Sequence, residues 1–208
     1  VKKKTGPACK DLASAADIDT FKASADVVVV GAFTSKEAAK AFESAAQADD
    51  DLQYGLVINP SADVVKALGV EAGKDAVVLF KKFDEGRAQL TKGSVSSQDD
   101  IAKFVSGNEL PLITAFSQQT APKIFGGSVK RHVILFVDAS DDAATAAYKA
   151  AAKPVAEEER GEYLFVTIDK SDSRVVEFFG VTTFPDVRVV ELNPTGIKKY
   201  KLVASGAM

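Results

Sequence analysis

The residue types that most often carry chemistry are scarce in this chain and stand apart from one another. Cys9 is the single cysteine and His132 the single histidine among 208 residues, and tryptophan is absent. One cysteine cannot form an internal disulfide, and dithiol redox chemistry needs a pair spaced Cys-x-x-Cys. Cys9 reads as a small residue in an early strand rather than as a reactive thiol. His132 follows Lys130 and Arg131 with no second histidine or cysteine near it in sequence, which supports neither a zinc site nor a Ser-His-Asp triad. The acidic triplets Asp49-Asp50-Asp51 and Glu157-Glu158-Glu159 lack the alternating oxygen-ligand spacing of a calcium loop. They read as solvated helix ends, with weak calcium binding left open. Gly126-Gly127 follows a helical stretch instead of opening one, so it terminates a helix and does not cradle phosphate. No metal or cofactor is expected, and what remains is the chemistry of apolar surface.

Composition narrows the classes further. Apolar residues make up 46% and charged residues 26%, the balance of a globular chain. The net charge is −3, with 14 basic and 16 acidic residues at 1–107 and 12 and 13 after that. Nucleic acid is therefore not an expected partner, since it calls for a basic face. Lys2, Lys3 and Lys4 read as part of a solvated linker. No apolar run approaches the roughly 18–20 residues of a membrane span, so no membrane partner is expected. No signal peptide is visible, which leaves a cytosolic chain, a mature one or an excised fragment.

The elements that must position any site occur twice. Leu52-Gln53-Tyr54-Gly55-Leu56-Val57-Ile58, then Val64 to Gly69-Val70, then Asp75-Ala76-Val77-Val78-Leu79-Phe80 return as Glu162-Tyr163-Leu164-Phe165-Val166-Thr167-Ile168, Val175 to Gly180-Val181, and Asp186-Val187-Arg188-Val189-Val190. Fixed self-similarity of this kind marks a repeated structural unit. In the first copy the patterns predict strands at 8–12, 26–33, 54–58, 76–81 and 89–91. They predict helices at 17–24, from Ser35 through Ala38, Ala41, Phe42 and Ala45, at 62–68 and at 97–105. In the second they predict strands at 111–116, 131–137, 163–168, 186–191 and 196–202, with helices at 121–125, 142–152 and 172–179. The boundary is expected at a short linker, 107–110, giving domains 1–107 and 108–208. The second copy stops before a last helix: either the chain was cut before it, or the sheet face it would cover is partly exposed.

This α/β order, a central mixed sheet between helices, resembles the thioredoxin-like arrangement. Two stretches sharpen the resemblance: Val78-Leu79-Phe80-Lys81-Lys82-Phe83-Asp84-Glu85-Gly86-Arg87 and Gln119-Thr120-Ala121-Pro122-Lys123-Ile124-Phe125-Gly126-Gly127. With Lys3-Lys4-Thr5-Gly6-Pro7 and Glu177-Phe178-Phe179-Gly180, they closely resemble the central b and b′ domains of protein disulfide isomerase. The resemblance implies two tandem thioredoxin-like domains, a b-like spacer followed by a b′-like binder, working in the endoplasmic reticulum between catalytic domains. The positions where catalytic domains carry Cys-x-x-Cys are Thr34-Ser35-Lys36-Glu37 and Ala139-Ser140-Asp141-Asp142. Neither contains cysteine, so redox catalysis by this segment is not expected.

In that family, unfolded or partly folded polypeptide enters a hydrophobic pocket of b′. Carried over by position, the implied lining is Phe116, Ile124, Phe125, Val176, Phe178 and Phe179. Phe178 and Phe179 are adjacent on a helix and cannot both face one side, so one is expected in the core and the other in the pocket. Family geometry also implies a cis peptide before Pro185, in Thr182-Thr183-Phe184-Pro185; the first copy has Lys74-Asp75 there. Weak self-association through the exposed b′ surface is a further expectation. The rival reading is a structural scaffold or docking module for one folded partner.

Overall fold

The computed structural model describes residues 7–201. The stretches 1–6 and 202–208, including Lys2 to Lys4 and Leu202, lie outside the described residues. The backbone divides into two compact units, Val1–Glu109 and Leu110–Met208.

The first unit runs β1 (Lys10–Asp11), α1 (Ala15–Ala23), β2 (Val27–Phe33), α2 (Lys40–Ala48), β3 (Gln53–Ile58), α3 (Ala62–Leu68), β4 (Ala76–Lys81), β5 (Arg87–Gln89) and α4 (Gln98–Asn108). Its sheet has the order β1-β3-β2-β4-β5. The Val27-Val28-Val29-Val30 run explains why β2 is central and buried along its whole length: β-branched side chains suit a strand covered on both faces. Alternation along that strand divides the core in two. Val28, Val30 and Ala32 meet Ile18, Phe21, Val64 and Leu68 under α1 and α3. Val29 and Phe33 meet Phe42, Ala46, Ile101 and Phe104 under α2 and α4.

The second unit runs β6 (Ile113–Ala115), α5 (Ala121–Gly126), β7 (Arg131–Val137), α6 (Asp142–Glu158), β8 (Tyr163–Asp169), α7 (Ser173–Phe179), β9 (Asp186–Asn193) and β10 (Gly196–Lys201). Its sheet, β6-β8-β7-β9-β10, has the same order and the same mixture of parallel and antiparallel pairs as the first. Register makes the equivalence residue by residue. Val28 lies opposite Phe80 and His132 opposite Val190, so His132, Ile134 and Phe136 occupy the places of Val28, Val30 and Ala32. No helix follows β10 among the described residues, and Val187 and Val189 are half-buried where Val77 and Leu79 are buried beside α4.

Several element bounds differ from the sequence patterns for local reasons. The Ser35 hydroxyl accepts from the Ala38 N–H and caps only a turn, and α2 starts at Lys40. Helix α4 continues through Gly107 to Asn108, with both residues buried. The hairpin after Lys81 turns through Asp84 (φ 49°) and Gly86 (φ 73°), which pairs Leu79 with Ala88 and sets β5 two residues earlier than expected. Helix α6 runs past Pro154 to Glu158; the alanine-rich run before it has the highest intrinsic helix propensity and tolerates one missing backbone donor.

Candidate functional site

The face that separates the two units chemically is the one covered by α1 and α3 in the first and by α5 and α7 in the second. In the first it is closed. Ile18 and Phe21 of α1 and Val64 and Leu68 of α3 are all at most 2% exposed, and the two helices pack side by side. In the second, α7 contributes no buried residue, and α5 and α7 have no contact comparable to that of α1 with α3.

Helix α5 is pinned from beneath. Ile124 is completely buried, so it belongs to the core under this face and not to its surface. The His132 Nε2–H donates to the Ile124 carbonyl at 2.7 Å; a carbonyl only accepts, which fixes that tautomer. Burial pushes the His132 imidazole below its ordinary pKa, since charging it would place an ion in an apolar layer. The Phe125 ring lies tilted at 5.4 Å from His132 and 6.2 Å from Phe116, and the two phenylalanine rings remain half-buried.

The opposite wall is α7. It closes on Gly180 in the left-handed conformation (φ 63°), as α3 closes on Gly69 (φ 65°); glycine reaches that region without steric cost. Phe179 turns inward, 5.5 Å from Phe136, and stays half-buried. Phe178 meets Phe179 edge-on at 5.0 Å and is 54% exposed. The substitution beneath helps explain the difference. Ala32 leaves room for Leu68 to seat fully, whereas its counterpart Phe136 already fills that layer before Phe179 arrives. Val176 and Phe184 complete the half-buried rim, and the Phe184–Pro185 bond is cis.

Two features escaped the sequence patterns. His132 falls in phase with Ile134 and Phe136, so period-two alternation on β7 carried the signal that it faces the core. Arg188 and Asp186 form a buried ion pair at 2.7 Å where the first unit has Val78 and Ala76. Charged residues at strand positions gave no sign that both would point into the protein.

The places where a dithiol would stand hold polar loops. The Thr34 N–H and hydroxyl both donate to Asp75 Oδ1, at 2.7 and 2.9 Å. In the second unit Ala139 N–H donates to Asp169 Oδ2 at 2.7 Å. The Lys170 ammonium and the Ser140 hydroxyl hold the Asp138 carboxyl down at about 2. Cys9 lies buried in the core beneath α2 and α4. Among the described residues no group of three or more His, Cys, Asp or Glu is placed to hold a metal ion, and no helix is long and apolar enough to cross a membrane.

Comparison with known proteins agrees with this architecture. A family model described as a thioredoxin-like domain matches residues 33–205. The chain is 41% identical to the protein disulfide-isomerase of Oryctolagus cuniculus, over 97% of this chain and 39% of that protein. It is 37% identical to the protein disulfide-isomerase of Drosophila melanogaster, over 97% of this chain and 40% of that one. The chain thus spans about two fifths of the length of these relatives. Among solved structures, the bb fragment of ERp72 superposes with a TM-score of 0.56 at 20% identity, covering 96% of this chain and 91% of the fragment; that likeness is one of fold. The chain belongs to the thioredoxin-like domain family, as two tandem domains matching the non-catalytic b and b′ region of protein disulfide isomerase.

Proposed function

We propose that this chain binds unfolded or partly folded polypeptides on the aromatic face between α5 and α7, and that it does so without itself exchanging disulfides. The observation that carries the reading is the contrast between the two units: equivalent helices close that face in the first and leave phenylalanine rings half-open in the second. Phe116, Phe125, Val176, Phe178 and Phe179 form the contact surface, and Ile124 supports it from below. Apolar burial is non-directional, so rings of this kind accept side chains from many sequences, as a binder of unfolded chains requires. The first domain acts as a spacer. In the parent protein, flanking catalytic domains in the endoplasmic reticulum supply the disulfide chemistry to chains held here.

Binding of fluorescent, apolar-rich unfolded peptides tests this. Phe178 is more than half exposed, so Phe178→Glu is expected to keep wild-type far-UV circular dichroism. Removing one buried phenylalanine contact should weaken affinity on the order of tenfold or more. Similar affinities across unrelated peptides are expected of the wild type. Unchanged affinity in a folded Phe178→Glu variant contradicts the assignment, and tight binding to a single folded protein with none to peptides favours a docking module.

A further inference from the structure

Helix α7 is held unusually lightly for a wall of a binding face. None of its residues is fully buried, and Val175, Val176 and Phe179 pack on the core only in part, so apolar packing fixes its position less than it fixes that of α3. Its counterpart α3 is fixed by completely or almost completely buried Val64 and Leu68, and by cations on its last carbonyls. Lys22 Nζ donates to Ala67 O at 2.7 Å, Arg87 Nε to Leu68 O at 3.1 Å, and Arg87 Nη2 to Gly69 O at 2.8 Å. Helix α7 has one such donor among the described residues: Lys199, whose Nζ donates to the Phe178 carbonyl. The same ammonium lies 3.5 Å from the centroid of the Phe178 ring and 5.0 Å from that of Phe179.

Register shows that this contact is a repeated device. Arg87 lies opposite Phe80 on β4, and Lys199 opposite Val190 on β9; Phe80 and Val190 occupy equivalent places opposite Val28 and His132. Arg87 and Lys199 are therefore the same position in two copies of the fold. Each lies on the last strand of its sheet and holds the helix that precedes the hairpin. A cation at a helix C-terminus is favoured by the dipole and by otherwise unpaired carbonyls, and one over an aromatic face by the ring quadrupole.

We infer that Lys199 is the positioning residue of the aromatic face: it holds α7, and with it Phe178 and Phe179, at the place where polypeptide binds. The inference rests on the binding face proposed above, but its first test does not. Lys199→Met keeps the length of the side chain and removes its charge and donors. In the 208-residue chain it should speed amide hydrogen exchange of Gly180 and Val181, which close the end of α7, by about fivefold to tenfold. Protection in β7 and β8 should be unaltered. Lys199→Arg restores a donor of the kind Arg87 supplies and should return exchange to near wild type. The matched variant Arg87→Met should change exchange at Gly69 and Val70 less, because Val64, Leu68 and Lys22 still hold α3.

Peptide affinity supplies the second readout. Lys199→Met should weaken it several-fold with an unchanged urea midpoint, and Lys199→Arg should restore it. Wild-type exchange at the end of α7 in Lys199→Met, or failure of Lys199→Arg to rescue, overturns the positioning role. If the wild type binds no peptide while Lys199→Met still loosens α7, the binding face fails and the anchoring contact stands. If exchange changes and peptide affinity does not, Lys199 holds α7 without positioning a binding face, and the inference fails.

Discussion

The two helical layers of equivalent position, α1 with α3 and α5 with α7, lie on sheets of the same strand order and the same register, yet they end in different chemical states. The first layer spends its apolar side chains on closure: Ile18, Phe21, Val64 and Leu68 are all in the core. The second has larger apolar side chains and buries fewer of them. Phe136 stands in the place of Ala32, Phe179 in that of Leu68 and Phe178 in that of Ala67. More aromatic volume over the same sheet does not give a tighter layer, because close packing depends on complementary sizes and not on total hydrophobicity. The surplus is left at the surface, where it is available to another chain.

The largest expected effect lies on the closed side. Leu68→Ala removes a buried side chain and leaves a cavity, so it should lower stability by about 2–5 kcal/mol, read as a shifted urea midpoint. Phe178→Ala, at the neighbouring position of the equivalent helix, should cost less than about 1 kcal/mol because the ring is already largely in water. Comparable losses in the two variants would show that the two layers are packed alike.

A smaller effect is set by pH, and it too distinguishes the units. His132 is the only histidine and belongs to the second unit. Its folded pKa lies below the unfolded value, so the unfolded chain binds the proton more readily. The stability it contributes is present above the ordinary histidine value, about 6.5, and is lost as pH falls below it. Thermal unfolding between pH 7 and pH 5 should therefore show the second unit weakening. His132→Gln should flatten that dependence, and a first unit that weakens as much as the second over this window would contradict the assignment.

Much of this fold was legible in the sequence, for identifiable reasons. β-branched and alternating runs placed β4 and β7 at their observed bounds, and the helix pattern at 62–68 matches α3. What was not legible depends on tertiary context. Nothing local announces that Gly107 stays inside a helix, or that Asp84 and Gly86 shift the pairing of β5. At the site, the aromatic cluster was visible as residue types. Helix α5 has only six residues, too few turns for periodicity to separate buried Ile124 from half-buried Phe125. That Phe178 and Phe179 divide between core and surface was legible from their adjacency on a helix, but which of them turns inward, and the contact of Lys199 with α7, depend on tertiary packing that a lone sequence does not display.

Equivalent faces of the two repeated domains differ in openness, and the open one is the proposed binder of polypeptide. Titrating the isotope-labelled chain with an apolar-rich unfolded peptide, and following backbone and aromatic NMR signals, tests it most directly. The expected result is saturable shifts at Phe116, Phe125, Val176, Phe178 and Phe179, with Ile18, Phe21, Val64 and Leu68 unmoved. Shifts centred on the α1 and α3 face, or none on the α5 and α7 face at saturating peptide, would rule out the α5 and α7 face as the binding surface.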